Sequence, residues 1–169
     1  MKLDSVPNSY GRPQRLGSVV STRFMQYGKV AARIKTGSIS PGVVSAFIIR
    51  NEDPGDEIDF EIVGRNPTEA QTNFYYNTPP DLPTDLIDYN NTGKSVLGTN
   101  TAMGFHAYEI EWMPNSILWM VDGTVIRHVF KNETKDVVNP ISGRTVHDPA
   151  TGLPLKRFPS SPARIQLGI

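Results

Sequence analysis

Glycine and proline divide this chain into short pieces along its whole length, and this punctuation limits the possible folds more than any other feature. The 169 residues include 14 glycines and 14 prolines. Few long windows lack both residue types, and none shows the apolar period of an amphipathic helix. Short strands joined by turns remain, so the sequence predicts an all-β fold, specifically an antiparallel β-sandwich.

Alternating or apolar runs between these breaks define the predicted strands. Asp122-Gly123 separates two of them by only two residues, which is the signal of a tight β-hairpin turn. Long polar stretches at residues 78–99 and 132–162 are predicted to be loops, of a length that is usually functional or disordered. The predicted strands are residues 23–35, 42–50, 56–63, 70–76, 105–112, 116–121, 124–130 and 164–169.

Composition argues against several functional classes. The 17 Lys and Arg residues balance 17 Asp and Glu residues, so the basic surplus typical of nucleic-acid or anionic-membrane binding is missing. No apolar run is long enough to predict a membrane span. The chain has no cysteine, and His106, His128 and His147 lack metal-ligand spacing, so we predict no metal and no cofactor.

Two features bear on the location of the protein. Residues 1–7 lack the apolar core that a signal peptide needs. Asn90-Asn91-Thr92 and Asn132-Glu133-Thr134 match the N-x-T acceptor pattern and are compatible with secretion, although such triplets also arise by chance. These residues by themselves leave the compartment open.

Acidic and apolar side chains alternate over residues 57–62. Side chains two apart in a strand share a face, so Glu57, Asp59 and Glu61 line one face and the apolar residues between them line the other. Acidic residues are depleted in strands, and neighbouring like charges repel each other. The arrangement therefore invites a functional explanation.

Carboxylates at this spacing suit retaining glycoside hydrolysis, which needs a nucleophile and an acid/base about 5–5.5 Å apart. About 13 Å of strand rise separates the Cα atoms of Glu57 and Glu61, and each side chain can close roughly 4 Å of it. Asp59 would raise the proton affinity of both neighbours and hydrogen-bond one of them. Two alternatives stay open here: a solvated strand face, and a calcium site built from Asp53, Asp56 and their neighbours.

The signature Glu57-Ile58-Asp59-Phe60-Glu61 resembles that of glycoside hydrolase family sixteen. Flanking blocks in the same order resemble its fungal cell-wall branch, the Crh-type transglycosylases. They include Gly42-Val43-Val44-Ser45-Ala46-Phe47 and Phe105-His106-Ala107-Tyr108-Glu109-Ile110-Glu111-Trp112. The resemblance covers residues 21–169 and strongly disfavours the solvated face, although Phe60 or Ile62 stands where this branch often has Trp.

The resemblance implies a jelly-roll sandwich with a sugar-binding groove across its concave face. It implies that Glu57 is the nucleophile, Asp59 the assisting acid and Glu61 the general acid/base. It also implies that Gln71 and Asn73 point into the groove near the scissile bond.

Aromatic residues are further candidates for sugar contact, because sugars stack on aromatic faces. Phe74, followed by Tyr75 and Tyr76 as further candidates, comes after the carboxylate strand, and Trp112 ends another predicted strand. For both residues a groove position and a core position are open, whereas Trp119 is predicted to lie in the core.

The function that the resemblance implies is a glycosidase or transglycosylase that cleaves β-linked glucan or chitin by retaining double displacement. Its partner would be a polysaccharide or oligosaccharide substrate, its location extracellular or in the cell wall, and its state monomeric. We expect residues 1–20 to be a polar segment with partial strands. We expect residues 21–169 to be a catalytic domain that is incomplete at its C-terminus, and truncation at its N-terminus is left open. The rival interpretations are a non-catalytic lectin-like sandwich and an inactive fragment.

Overall fold

The computed structural model describes residues 17–37, 40–52, 55–76 and 91–169. Within these ranges the chain forms ten β-strands and no α-helix, with a three-residue 3₁₀ helix at Lys131–Glu133. The predicted all-β fold is therefore confirmed. The strands are β1 (Ser18–Met25), β2 (Gly28–Ile34), β3 (Val44–Arg50), β4 (Glu57–Val63), β5 (Glu69–Tyr75), β6 (Gly93–Val96), β7 (His106–Met113), β8 (Ser116–Val121), β9 (Thr124–Phe130) and β10 (Ala163–Gly168).

The strands form two antiparallel sheets, as the sandwich prediction requires. Six strands pair in the order β1-β10-β3-β4-β5-β6, and four pair in the order β2-β7-β8-β9. The carboxylate strand β4 lies inside the larger sheet, between β3 and β5. Its backbone is thus held from both sides, which gives its side chains fixed positions.

The core lies between the sheets and is built by the alternation that the sequence predicts. Phe60 is 0% exposed and stacks with Phe47 at 6.3 Å between ring centroids. Its edge-on partner from the smaller sheet is Tyr108, at 5.4 Å. Ile58 and Ile62 are buried beside Phe60, which confirms the predicted core face of β4.

The single strand predicted over residues 23–35 is wrong, because the chain turns in its middle. Tyr27 and Gly28 have φ values of 63° and 119°, and a left-handed backbone cannot continue an extended strand. As a result β1 joins the larger sheet and β2 the smaller one. Burial alternates in β2 but not in the largely exposed β1, and the single predicted strand rested on Val30, Ala32 and Ile34, which all lie in β2.

The loop predicted over residues 78–99 is also wrong in part. Residues 77–90 lie outside the described residues, but Gly93–Val96 forms β6 against β5. A Cβ at Gly93 would lie 2.9 Å from Cδ of Arg127 and 3.0 Å from Oγ1 of Thr72. Glycine is therefore needed where the arginine side chain crosses this strand.

The polar stretch over residues 132–162 follows its prediction more closely, since it contains no named strand. Isolated β-bridges still pair residues within this stretch. Val137 and Phe158 are buried, at 0% and 1% exposure. The stretch is therefore anchored by two apolar side chains.

The predicted hairpin turn at Asp122-Gly123 is confirmed. Both residues have positive φ, 49° and 78°, as a two-residue type I′ turn requires. The Asp122 carboxylate accepts a hydrogen bond from the Ala107 backbone N–H at 2.8 Å and pairs with Nδ1 of His106 at 2.7 Å. These contacts give His106 a structural partner in the smaller sheet.

Across the ranges that the structure describes, helices long and apolar enough to span a bilayer are absent.

Candidate active site

Strand β4 presents Glu57, Asp59 and Glu61 on the face opposite the core, with three degrees of exposure. Asp59 is 3% exposed, the Glu57 side chain is 18% exposed, and Glu61 is open to solvent. Strand alternation accounts for the shared face. The difference in exposure gives the carboxyl groups different environments, which is what separate chemical roles require.

The register of the sheet places polar residues on both sides of these carboxylates. On β5, Asn73 lies opposite Asp59 and Gln71 lies opposite Glu61. Residues opposite each other in an antiparallel pair project to the same face. Gln71 and Asn73 therefore share the face of the carboxylates.

Two groups lie beside Glu57 in positions that were not identified from the sequence, although Tyr75 was among the aromatic candidates. Arg50 on β3 lies opposite Glu57, and its Nε is 3.5 Å from Oε2 of that carboxylate. Tyr75 on β5 lies opposite Glu57 on the other side. Only the strand register identifies both neighbours, because neither lies close to Glu57 in the sequence.

Phe74 and Trp112 lie in the core instead of on the carboxylate face. They are 2% and 1% exposed, and Trp112 donates its Nε1–H to the Pro159 carbonyl at 3.2 Å. Phe74 is adjacent to Asn73 in the strand, so alternation turns its ring inward. Neither ring offers a face to a sugar in this structure, and Tyr75 is the ring of this segment on the carboxylate side.

The carboxylates strongly affect one another. Burial, together with the charges of Glu57 and Glu61, raises the pKa of Asp59 to about 8 from an ordinary value of 3.8. A hydrogen bond from the Asn73 backbone and the charge of Arg127 oppose this rise. Asp59 Oδ1 has no hydrogen-bond partner among the described residues, which further disfavours the charged form.

Glu57 experiences opposing influences. Burial raises its pKa, and the charge of Glu61 acts in the same direction. The guanidinium of Arg50 and a hydrogen bond with Asp59 both lower it. A protonated Asp59 can therefore donate a hydrogen bond that favours the carboxylate form of Glu57.

The raised pKa of Asp59 predicts that stability falls with pH. The folded state keeps this proton to about pH 8, whereas an ordinary aspartate loses it near 3.8. The folded state binds more protons within this window, so the free energy of unfolding declines as pH rises through it. At about 1.36 kcal/mol per pH unit, the decline from pH 5 to pH 7 is at most about 2.7 kcal/mol.

Asp59→Asn should flatten this decline, since an amide keeps the shape but does not titrate. Urea unfolding of both proteins at pH 5, 6 and 7 measures it. Equal pH dependence in the two proteins would contradict the assignment of the proton to Asp59.

Strand β4 is held in place by hydrogen bonds to the opposite sheet and to the loop that precedes β10. Trp119 on β8 donates its Nε1–H to the Asp59 carbonyl at 2.9 Å. The Asp56 carboxylate, 2% exposed, accepts hydrogen bonds from the backbone N–H groups of Ser160 and Ser161 at 2.8 and 2.9 Å. These contacts hold the carboxylate strand at its centre and at its N-terminal end.

Arg127 connects two strands beneath the three carboxylates. Its Nη1 donates to the Thr72 carbonyl at 2.7 Å, and its guanidinium lies 4.9 Å from the centre of the Trp119 ring. Burial lowers its pKa, while the charge of Asp59 raises it. The arginine thus joins β9 to β5 and places a positive charge below the carboxylates.

The calcium alternative has no support among the described residues. No group of His, Cys, Asp or Glu side chains suited to a metal ion occurs within them. The Asp56 carboxylate bonds to backbone N–H groups, and Asp53 lies outside the described residues.

A cavity of about 440 Å³ extends the carboxylate face toward β1. Phe24, Arg50, Asn51 and Arg164 contribute to its lining. Arg164 lies opposite Arg50 in the sheet, and Arg50 lies opposite Glu57. The cavity therefore opens on the same side of the sheet as the carboxylates, beside Arg50.

Comparison with known proteins gives the same fold and places the chain in a family. The sequence profile of Glycosyl hydrolases family 16 matches residues 4–169. Congo red hypersensitive protein 2 of Saccharomyces cerevisiae is 40% identical over 124 residues, which is 72% of this chain and 24% of that protein. Crh-like protein 2 of Aspergillus fumigatus is 36% identical over 152 residues, which is 89% of this chain and 29% of that protein.

Solved structures have the same fold as this chain. The Crh5 transglycosylase in complex with NAG superposes with a TM-score of 0.70 at 25% identity, covering 90% of this chain and 52% of that chain. A Bacillus licheniformis β-glucanase superposes with a TM-score of 0.71 at 24% identity, covering 98% of this chain and 62% of that chain. The chain thus spans 24–29% of the length of these curated relatives and 52–62% of the length of these structures. The resemblance to the Crh-type branch is confirmed, and the chain belongs to the glycosyl hydrolases of family 16.

Proposed function

We propose that this chain carries the catalytic strand of a retaining glycosidase or transglycosylase. Its substrate is a β-linked polysaccharide, either β-glucan or chitin. The observation that supports this best is the set of three carboxyl groups on one face of β4, graded in exposure, with Arg50 against Glu57. The family match and the similarity to the structure of the Crh5 transglycosylase support the same reaction class. The substrate is a polysaccharide or oligosaccharide, and the location is extracellular.

In the first step Glu57 attacks the anomeric carbon while Glu61 donates a proton to the departing glycosidic oxygen. The bond between the anomeric carbon and that oxygen breaks, and an ester forms on Glu57. Asp59, protonated below about pH 8, donates a hydrogen bond that keeps Glu57 ionised before attack. Glu61 is the most exposed of the three, which suits a group that exchanges protons with arriving molecules.

In the second step Glu61, now ionised, takes a proton from the incoming hydroxyl, and that oxygen displaces Glu57 from the anomeric carbon. Water as the acceptor gives hydrolysis, and a sugar hydroxyl gives transfer. The two outcomes share the glycosyl-enzyme and differ only in which acceptor occupies the groove. Gln71 and Asn73 share the face on which the reacting sugar would lie.

Tyr75 is proposed to support the sugar next to Glu57, since its ring is on the carboxylate face. Tyr75→Ala should raise KM for a β-linked oligosaccharide roughly fivefold, because a sugar–aromatic contact is worth on the order of 1 kcal/mol. Tyr75→Phe should retain most of the affinity, since it keeps the ring. Steady-state kinetics on the three proteins test this, and equal KM values for the alanine variant and the unsubstituted protein would contradict it.

The experiment that tests the function combines a chito-oligosaccharide donor with a fluorescent laminari-oligosaccharide acceptor. Labelled product of higher mass supports transfer, and shortened donor without labelled product supports hydrolysis. Binding of donor without any product, in a protein that shows a cooperative melting transition, would overturn the catalytic proposal in favour of a lectin-like sandwich.

A further inference from the structure

An apolar patch lies outside the groove, where β9 runs into the loop of residues 132–162. Phe130 and Leu153 are 44% and 65% exposed. Together with Asn115, Asn132 and Pro154, they contribute to the lining of a cavity of about 700 Å³. Exposed apolar side chains gathered around a cavity of this size commonly mark a surface that something covers.

The glycosylation triplet Asn132-Glu133-Thr134 lies at this patch. Asn132 is exposed and sits in the 3₁₀ helix that directly follows β9. This turn is held firmly, because Thr134 Oγ1 donates to the Lys131 carbonyl at 2.8 Å and the Lys131 N–H donates to the Asn115 carbonyl at 2.8 Å. An acceptor asparagine in an exposed and well-fixed turn can carry a bulky glycan without disturbing the fold.

Phe130 precedes the acceptor asparagine by two residues and lines the same cavity. The centroid of its ring lies 3.9 Å from that of His128, which fixes its orientation while leaving it 44% exposed. The apolar C–H face of a sugar packs on an aromatic ring in the same way as other apolar groups do. The first sugar on Asn132 would therefore have a ring beside it.

We propose that Asn132 carries an N-linked glycan and that the sugar attached to the asparagine packs on Phe130, covering the apolar patch. This inference rests on the extracellular location given under the proposed function. The Asn132 amide nitrogen attacks the anomeric carbon of an oligosaccharide carried on a lipid pyrophosphate. A C–N bond forms, the bond from that carbon to the phosphate oxygen breaks, and the lipid pyrophosphate leaves with the electron pair as the amide releases a proton.

The test uses the full chain secreted from a eukaryotic host, with a secretion signal added before it. An unstructured peptide added after it contains one further N-x-T triplet, which serves as the reporter. Only molecules whose reporter is glycosylated are analysed, so every molecule has been exposed to the transferase that attaches N-linked glycans. Peptide mapping before and after enzymatic glycan release then scores Asn132 by its conversion to aspartate. An unmodified Asn132 in these molecules overturns the proposed site.

Packing on Phe130 is tested by melting temperature. The glycosylated protein should melt about 2–4 °C above the Asn132→Gln variant, and Phe130→Ala should remove most of this difference. Val125→Ala is the matched control, because Val125 lies on the same strand and is 50% exposed but does not contribute to the cavity lining. A difference that persists in Phe130→Ala overturns the packing contact. Glycosyl transfer activity, measured on the same samples, reports on the proposed function independently.

Discussion

Replacing Glu57 with glutamine is expected to lower turnover of a β-linked oligosaccharide donor by a factor on the order of 10⁴ or more. An amide cannot form the ester that carries the sugar between the two steps. The substitution keeps the size of a side chain that packs beside Arg50, so binding of the donor should be retained. Product release measured by chromatography, with donor affinity measured by calorimetry, separates these two effects.

Glu111→Gln is the matched control for this prediction. Glu111 belongs to β7 in the smaller sheet, away from the carboxylate face, and its loss should leave turnover unchanged. Comparable losses in both variants, or turnover in Glu57→Gln near that of the unsubstituted protein, would contradict the role of Glu57.

Glu61→Gln should behave differently from Glu57→Gln. Loss of a general acid/base costs about 10²–10⁴-fold with a natural donor. With an aryl glycoside the first step needs little proton donation, so a burst of phenol should persist, and added azide should restart turnover because it needs no general base. Absence of both the burst and the azide effect would remove Glu61 from the acid/base role.

Trp119→Ala is expected to lower the free energy of unfolding by about 3–5 kcal/mol. The indole is 0% exposed between the sheets, and its Nε1–H is bonded to the carbonyl of Asp59. Its removal leaves a cavity beneath β4 and takes away the ring beside the Arg127 guanidinium. A loss of this size is a large part of the total stability of a typical domain.

Urea unfolding, followed by circular dichroism, measures this loss. Trp119→Phe serves as the comparison, because it keeps a buried ring while it removes the donor, at about 1–3 kcal/mol, and part of the indole volume. Equal losses in the two variants would show that the hydrogen bond, and not the packing of the ring, accounts for the contribution of Trp119.

The sequence predicted those parts of the site that depend on alternation alone. Glu57, Asp59 and Glu61 share a face because strand geometry has a period of two, and the same rule places Phe60 in the core. Asp122-Gly123 predicted its hairpin because few residue pairs accept two positive φ values in succession. In each of these cases the physical cause acts within a few residues.

The parts that were missed depend on contacts between distant residues. Arg50 and Tyr75 flank Glu57 only through the pairing of three strands. Asp56 is followed by a strand in sequence, yet its partners are Ser160 and Ser161. Phe74 and Trp112 could be placed in the groove or the core on sequence grounds, and only the packing of the two sheets decided for the core.

The central claim is that Glu57 forms a covalent bond with the donor sugar. It is tested most directly by trapping that intermediate with a 2-deoxy-2-fluoro glycoside that carries a good leaving group. The protein should gain the mass of one glycosyl unit, and peptide mapping should place that unit on Glu57. A trapped sugar on Glu61, or turnover of the reagent without any adduct, would contradict the account.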